Sequence, residues 1–211
     1  MVKYNFPKYE VELELDDDVY FPAEDTFFLL DLVDIPNDTK KIVEIGSGSG
    51  IISIVLAKNN PEIQFLISDI SFSATKAIKQ NLRLNNIGNL VDIVCMDKLE
   101  AIHNLKSDII IWNPPYLPDG EEEDTMSPLN KLMLVGGKKG YEETFTMLDS
   151  LQKNKISTIF YTIFSSLSWS DEDIQDLKKE GMNLEIKNQL SLFFEKLYLV
   201  KIDFCERNEK L

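Results

Sequence analysis

The chain has 211 residues, of which 44% are hydrophobic and 27% charged, and this composition predicts one globular domain over residues 1–211. Its formal net charge of −14 argues against binding to duplex nucleic acid. Proteins bind the phosphates of a duplex largely through lysine and arginine side chains, and a chain this acidic repels them on average. One histidine (His103), two isolated cysteines, and the lack of a signal peptide or a membrane-span pattern predict a cytosolic protein without a disulfide framework, a zinc site or a Ser–His triad.

The first elements in chain order are a strand and a helix. Residues 8–15 alternate between apolar and acidic side chains, which predicts a half-buried strand. Residues 19–27 then lead into a helix. Pro22 suits the first turn of that helix, and Glu24 and Asp25 complement its positive end.

The middle of the chain alternates between buried strands and helices. The first of these strands runs into the glycine-rich stretch 46–50, the second ends at Asp69, the third at Asp97 and the fourth at Asn113. This βαβαβ order predicts a doubly wound α/β sheet that is mostly parallel, with helices on both faces. Further along, the patterns predict a helix (139–151), a strand (156–164), a capped helix (170–179) and an antiparallel pair (184–192 and 193–204).

The tetrapeptide Asn113-Pro114-Pro115-Tyr116 follows the fourth strand. Two successive prolines cannot continue a strand, so the chain turns outward at the strand's carboxyl end, where open α/β sheets place their ligands. An uncharged amide, rigid carbonyl groups and an aromatic ring suit the binding of a planar nitrogen better than acid–base chemistry.

The glycine-rich stretch differs from a dinucleotide-binding loop. The pattern Glu44-x-Gly46-x-Gly48-x-Gly50 has Ile51 where that loop needs its third glycine. A pyrophosphate would be repelled by Glu44, whereas S-adenosylmethionine carries an ammonium and a sulfonium and no phosphate. A purely structural tight turn is the alternative.

Acidic residues at the ends of the next strands favour the ligand-binding interpretation. Asp69 can accept hydrogen bonds from both hydroxyls of a ribose, and Asp97 can accept one from an adenine amino group. Either residue alone could be an ordinary strand-end or helix-cap residue. Acids or amides at four successive strand ends, from Glu44 to Asn113, predict one ligand-binding edge of the sheet.

Together these motifs resemble those of class I S-adenosylmethionine-dependent methyltransferases that modify amino groups. Residues 19–27 and the pattern Gly136-Gly137-x-x-Gly140 are similar to the release-factor glutamine N5-methyltransferases (HemK/PrmC-like), over roughly residues 19–202. The short N-terminal part resembles the archaeal–eukaryotic branch of that family. The resemblance implies a seven-stranded sheet with an antiparallel last strand.

The resemblance also implies roles for individual residues. In this family residues 1–40 help to close the cofactor site. Its cofactor contacts correspond to Thr26, Glu44, Gly46, Gly48, Asp69, Asp97, Lys98 and Asn113. The catalytic and substrate-binding residues correspond to Asn113, Pro114, Pro115 and Tyr116; the Asn113 side-chain oxygen and the Pro114 carbonyl would hold the target nitrogen. Tyr116 would pack against the planar target, although a hydrophobic plug under the loop is an equal alternative.

The implied substrate is the glutamine of a Gly-Gly-Gln loop in a class 1 translation release factor. The resemblance further implies a small zinc-binding activator subunit on the third strand of the βαβαβ series, which is an apolar sheet edge. Coverage of that edge by the chain's own helices is the alternative. Two other functions remain open at this point: a nucleic-acid methyltransferase acting on adenine N6 or guanine N2, and a non-catalytic scaffold that binds a partner through the third strand.

Overall fold

The computed structural model describes residues 1–87, 91–100, 105–120 and 126–205. His103 and the acidic stretch 121–124 lie outside the described residues. The chain forms two compact units, residues 1–113 and 114–211. None of the helices in the described ranges is long and apolar enough to cross a membrane.

The first unit contains six strands and three helices among its described residues. Their order is β1 (Val2–Phe6), β2 (Val11–Leu15), α1 (Glu24–Leu32), β3 (Lys41–Ile45), α2 (Ile51–Asn59), β4 (Gln64–Asp69), α3 (Phe72–Leu84), β5 (Val91–Cys95) and β6 (Ile109–Trp112). Strands β1 and β2 form a separate antiparallel pair. Strand β1 was not predicted. Helix α1 begins at Glu24, so Pro22 precedes the helix and does not lie in its first turn as expected.

The second unit contains three helices and three strands in the part of the chain that is described. They are α4 (Pro128–Leu134), α5 (Glu142–Lys153), β7 (Ile159–Ser165), α6 (Asp171–Lys179), β8 (Asn183–Ser191) and β9 (Lys196–Asp203). The Ser170 side chain caps α6 by accepting a hydrogen bond from the Asp173 N–H, as its sequence pattern predicts. Helix α4 was not predicted.

Seven strands form a mixed sheet in the order β5-β4-β3-β6-β7-β9-β8. Strands β3, β4, β5 and β6 pair in parallel, and the last strand, β9, is antiparallel to both of its neighbours. The predicted fold class is therefore confirmed, and the third strand of the predicted series, β5, lies at a sheet edge as expected.

Parallel pairing brings the carboxyl ends of four strands of the first unit to one edge of the sheet. Ile45 is paired with both Ser68 and Trp112, and Asp69 is paired with Cys95. Strands β3 and β6 are buried on both faces, which explains their almost uninterrupted apolar sequences. This packing places Glu44, Asp69, Asp97 and Asn113 at or close to the same edge.

Candidate active site

The glycine-rich loop between β3 and α2 depends on residues without side chains. Gly46 and Gly48 have φ angles of +58° and +52°, in the left-handed region that side chains disfavour. A Cβ atom on Gly46 would lie 3.2 Å from the Trp112 Nε1 atom, and one on Gly48 would lie 3.2 Å from the Tyr20 Cβ atom. The loop therefore follows a backbone path against Trp112 and Tyr20 that only glycine fits well.

Glu44 is buried beneath this loop, where it joins the end of β3 to the start of α2. One carboxylate oxygen accepts the backbone N–H of Ser53 at 2.9 Å. Burial raises the pKa of the Glu44 carboxyl to about 8, even though the hydrogen bond from Ser53 acts in the opposite direction. A nearby cation would restore the charged form, so Glu44 suits a positively charged ligand.

Asp69 ends β4 and connects the glycine-rich loop to the start of α3. Its two carboxylate oxygens accept the backbone N–H groups of Gly48 and Ser71, each at 2.8 Å. Burial raises the pKa of the Asp69 carboxyl. Each oxygen keeps a further lone pair, because a carboxylate can accept about four hydrogen bonds. Asp69 therefore fixes the loop and retains acceptor capacity for a ligand hydroxyl.

Asp97 and Lys98 lie just beyond β5. The Lys98 Nζ atom is 3.3 Å from an Asp97 carboxylate oxygen. The Lys98 backbone has a φ of +44°, and its carbonyl oxygen accepts a hydrogen bond from the Ser68 hydroxyl at 3.2 Å. Both residues are half-buried beside the end of β4, in agreement with their predicted location.

Asn113 follows β6, and its side chain has a defined orientation. The Nδ2 amino group donates to the Asp25 Oδ2 atom at 3.0 Å. The Oδ1 atom is buried and has no hydrogen-bond partner among the described residues. Because buried polar atoms are rarely left unpaired, this oxygen is a site at which a ligand N–H group can bind.

Asp25 is a site residue that the sequence interpretation missed. It is 5% exposed, and besides Asn113 it accepts hydrogen bonds from the Tyr20 hydroxyl and from both the backbone and the hydroxyl of Thr26. Burial, followed by the Asp25 carboxylate, raises the pKa of Tyr20 far above its ordinary value, so Tyr20 remains a donor. Thr26, predicted as a cofactor contact, uses its hydroxyl within this cluster.

The remainder of the motif, Pro114-Pro115-Tyr116, belongs to the second unit, where a glycine turn supports it. A Cβ atom on Gly136 would lie 2.4 Å from the Pro115 carbonyl oxygen, and one on Gly140 would lie 2.4 Å from the Tyr116 carbonyl oxygen. The Ser168 hydroxyl donates to that same Tyr116 oxygen. The pattern Gly136-Gly137-x-x-Gly140 therefore has a physical reason: it leaves room for the carbonyl groups of the motif.

The donors and acceptors of the first unit fit S-adenosylmethionine better than a nucleotide phosphate. Glu44, Asp69 and Asp97 lie at or near the strand ends, and Glu44 and Asp69 accept uncharged backbone N–H groups. Carboxylates repel phosphate and attract an ammonium or a sulfonium. The glycine-rich loop, whose Gly48 N–H is already bonded to Asp69, is not arranged as a phosphate cradle.

Comparisons with known proteins agree with this geometry. Residues 24–133 match the family model described as the methyltransferase small domain. The chain is 37% identical to a putative protein N5-glutamine methyltransferase of Methanocaldococcus jannaschii, over 90% of this chain and 94% of that protein. It is 33% identical to the eRF1 methyltransferase catalytic subunit of Schizosaccharomyces pombe, over 82% of this chain and 83% of that protein.

Bacterial relatives are longer than the region they share with this chain. The release factor glutamine methyltransferase of Aquifex aeolicus is 32% identical over 59% of this chain, a region that is 46% of that protein.

Solved structures of low sequence identity share the fold. The Mtq2–Trm112 complex of E. cuniculi, described as responsible for methylation of the eRF1 termination factor, superimposes with a TM-score of 0.62 at 22% identity, over 88% of this chain and 98% of that chain. The methyltransferase domain of METTL16 gives 0.68 at 13% identity, over 94% and 90%.

Proposed function

The chain belongs to the methyltransferase small domain family, and we propose that it uses S-adenosylmethionine to methylate the side-chain nitrogen (N5) of the glutamine in the Gly-Gly-Gln loop of a class 1 translation release factor. The observation that carries this proposal is the buried, unpaired Oδ1 atom of Asn113, which can accept an N–H group of a planar amide. The archaeal and yeast relatives, which match most of this chain, are named as a putative protein N5-glutamine methyltransferase and an eRF1 methyltransferase subunit, and these names support the same substrate class.

The residues of the first unit would hold the cofactor, which supplies a methyl group activated on a sulfonium. We assign Glu44 and the loop residues Gly46 and Gly48 to the positively charged amino-acid end, and Asp69 to the ribose. Asp97 and Lys98 are assigned to the adenine, with Lys98 acting through its backbone. Thr26 and Asn113 complete the set, and residues 1–40 help to close the site.

The target nitrogen needs acceptors rather than a base. An amide nitrogen carries two hydrogens, and its lone pair is delocalised into the neighbouring carbonyl group. The Asn113 Oδ1 atom and the Pro114 carbonyl oxygen would each accept one of these N–H groups, which orients the nitrogen toward the incoming methyl group. Both oxygens then stabilise the positive charge that develops on nitrogen, and the proton leaves to water after transfer.

Pro115 and Tyr116 would shape the rest of the substrate site. The Ser168 hydroxyl donates to the Tyr116 carbonyl oxygen, and the Gly136–Gly140 turn leaves room for the carbonyl groups of both residues, so the Tyr116 ring starts from a fixed backbone. We assign this ring to packing against the planar glutamine amide.

We also propose a small partner subunit on the edge strand β5, with a zinc site of its own. The side chains of Val91, Ile93 and Val94 are only half-buried there, and Ile70 and Phe72 are 47% and 75% exposed nearby. The Ile70 carbonyl oxygen lies 3.6 Å from the Cys95 Sγ atom at the end of β5, so the exposed side chains adjoin the edge. A strand added by a partner would form hydrogen bonds with the backbone N–H and C=O groups on the outer side of β5. An assembly of this kind would act in the cytoplasm.

The experiment that tests the substrate uses methyl transfer from labelled S-adenosylmethionine. The purified chain, with and without the candidate activator, is offered the release factor, a release factor whose loop glutamine is replaced by alanine, and DNA and RNA oligonucleotides. We expect label only in the release factor that keeps its loop glutamine, and none in the alanine variant or in the oligonucleotides. Equal labelling of the alanine variant, or preferential labelling of a nucleic acid, would contradict the proposal.

A further inference from the structure

We propose that Asp25 is a positioning residue that fixes the rotation of the Asn113 side-chain amide, so that its oxygen and not its nitrogen faces the target. This inference rests on the proposed function, because it assigns a use to the Asn113 oxygen. Its structural basis is a hydrogen-bonded cluster within the first unit, formed by Tyr20, Asp25, Thr26 and Asn113.

A primary amide has two similar ends with opposite hydrogen-bonding properties. The nitrogen only donates, and the oxygen only accepts. If the Asn113 amide turned over, its Oδ1 atom would lie about 3.0 Å from the Asp25 Oδ2 atom, as Nδ2 does now. Two acceptors at that distance repel, so the carboxylate of Asp25 selects the observed orientation.

The consequence appears at the other end of the amide. In the observed orientation the buried Oδ1 atom is available to a ligand N–H group. In the reversed orientation the Nδ2 group would face the NH₂ group of the target, and two donors cannot form a hydrogen bond. Asp25 therefore determines whether this site attracts or repels an amide nitrogen. Its hydrogen bond also polarises the Asn113 amide, which strengthens Oδ1 as an acceptor.

The Asp25 carboxylate is itself held in place from the opposite side. Its Oδ1 atom accepts the backbone N–H of Thr26 at 2.6 Å and the Thr26 hydroxyl at 3.1 Å. The Tyr20 hydroxyl lies 3.0 Å from Oδ2 and 3.1 Å from Oδ1. Asp25 is 5% exposed, and these donors hold its carboxylate so that the Oδ2 atom stays directed at the Asn113 amino group.

This asymmetry gives Asp25→Asn a specific expected effect. The backbone N–H of Thr26 requires an acceptor at the Oδ1 position, so the new amide would place its oxygen there and its NH₂ group toward Asn113. Asn113 would then turn over to accept from it and would present a donor to the target. We expect kcat to fall by about 100-fold, the loss typical of a missing transition-state hydrogen bond. Affinity for S-adenosylmethionine should stay within about threefold, since the change acts on the target nitrogen.

A compensating variant separates positioning from a general structural role. In the double variant Asp25→Asn/Asn113→Asp, the new amide at position 25 donates to the new carboxylate at 113, whose second oxygen again faces the target as an acceptor. We expect kcat of the double variant to exceed that of Asp25→Asn by at least about tenfold, or about 1.4 kcal/mol. A residue that only stabilised the fold would give no such recovery.

Asp173→Asn is the matched control. Like Asp25 in α1, Asp173 lies in the first turn of its helix, α6, and its carboxylate accepts from a backbone N–H and a hydroxyl, both of Ser170. It belongs to none of the proposed cofactor or substrate residues. We expect its kcat to equal that of the wild type. The proposal is overturned if Asp25→Asn lowers kcat by less than about tenfold, if cofactor affinity falls in parallel with kcat, or if the double variant shows no recovery.

A readout without substrate keeps this inference separate from the proposed function. In ¹H–¹⁵N spectra, the side-chain NH₂ signal of Asn113 should shift in Asp25→Asn and stay in place in Asp173→Asn. If the wild type does not methylate the release factor, the proposed substrate is wrong, and this spectrum still tests the contact. An unchanged Asn113 signal in Asp25→Asn would overturn the positioning role whatever the substrate.

Discussion

Glu44 is an ionisable residue buried beneath the glycine-rich loop, so its carboxyl has a different pKa in the folded and unfolded states. Its pKa of about 8 in the folded protein exceeds the ordinary value of 4.5 because burial disfavours the charged form. Between these two pH values the folded state keeps a proton that the unfolded state has released. Folding stability from this residue is therefore greatest at low pH and declines as the pH rises through this window.

We accordingly predict that Glu44→Gln removes a pH-dependent part of stability. The free energy of unfolding of the wild type should fall, relative to the variant, by up to about 1.4 kcal/mol per pH unit between pH 5 and 8, because one proton is involved. Urea unfolding of both proteins at several pH values measures this difference, and contributions from other groups cancel in it. A difference that is constant with pH would contradict the assigned protonation.

The same residue predicts proton release on cofactor binding. An ammonium or sulfonium bound near Glu44 favours the carboxylate, so at pH 7 binding should expel part of one proton. Calorimetric titration with S-adenosylmethionine in buffers of different ionisation enthalpy measures the number released. We expect a clear release in the wild type and a smaller one in Glu44→Gln; equal values would show that Glu44 does not respond to the ligand.

The turn from Gly136 to Gly140 connects local backbone geometry to the substrate motif. Gly140 has a φ of +85°, and a Cβ atom there would lie 2.4 Å from both the Tyr116 carbonyl oxygen and the Ser168 Oγ atom. Both close approaches involve atoms that hold the motif in place. A side chain at position 140 would therefore displace these atoms, and the motif would lose their support.

We predict that Gly140→Ala lowers kcat by about 100-fold, as expected for a displacement of about 1 Å in a positioning element. Cofactor affinity should be retained, since the proposed cofactor residues belong to the first unit. Gly181→Ala is the matched control: Gly181 has a φ of +93°, but a Cβ atom there would meet nothing within 4 Å. Both variants should lose about 1–2 kcal/mol of stability from backbone strain, and Gly140→Ala should lose more because its Cβ atom also meets two atoms at 2.4 Å. Equal effects on kcat would contradict the support role.

The sequence predicted the strands and their polar ends because burial imposes continuous apolar runs that stop at residues such as Asp69 and Asn113. It did not predict β1, a five-residue strand in which three side chains are exposed and two half-buried. Asp25 was missed for a different reason. Its acidity near a helix start has a sufficient local explanation, whereas its contact with Asn113 joins residues 88 positions apart. A sequence pattern alone cannot indicate such a contact.

Strand β5 of the first unit forms one edge of the sheet, and no other strand of the described chain covers that edge. Strand β5 has one neighbour in the sheet, and exposed apolar residues lie beside it. Exposed edges of this kind are sites of association, and the net charge of −14 limits unspecific contacts with other acidic proteins. We therefore expect the chain to be active as part of a heterodimer.

We predict that Phe72→Glu weakens binding of the proposed zinc-binding activator protein by at least about tenfold, because the substitution places a charge where the exposed Phe72 ring offers an apolar contact near β5. Phe193→Glu is the control, since Phe193 is 92% exposed but lies in the connection between β8 and β9. Titration of the purified activator into each variant measures the affinity. Equal weakening by both substitutions, or by neither, would contradict docking at β5.

The central claim is that the Asn113 oxygen holds a glutamine side-chain nitrogen for methyl transfer. Tandem mass spectrometry of the release-factor loop, after incubation with S-adenosylmethionine and either the wild type or Asn113→Ala, tests it most directly. We predict one methyl group on the side chain of the Gly-Gly-Gln glutamine with the wild type. With Asn113→Ala we predict none, while most of the cofactor affinity is retained, because the other proposed cofactor residues are unchanged. A methyl group on another residue, or undiminished modification by Asn113→Ala, would contradict the claim.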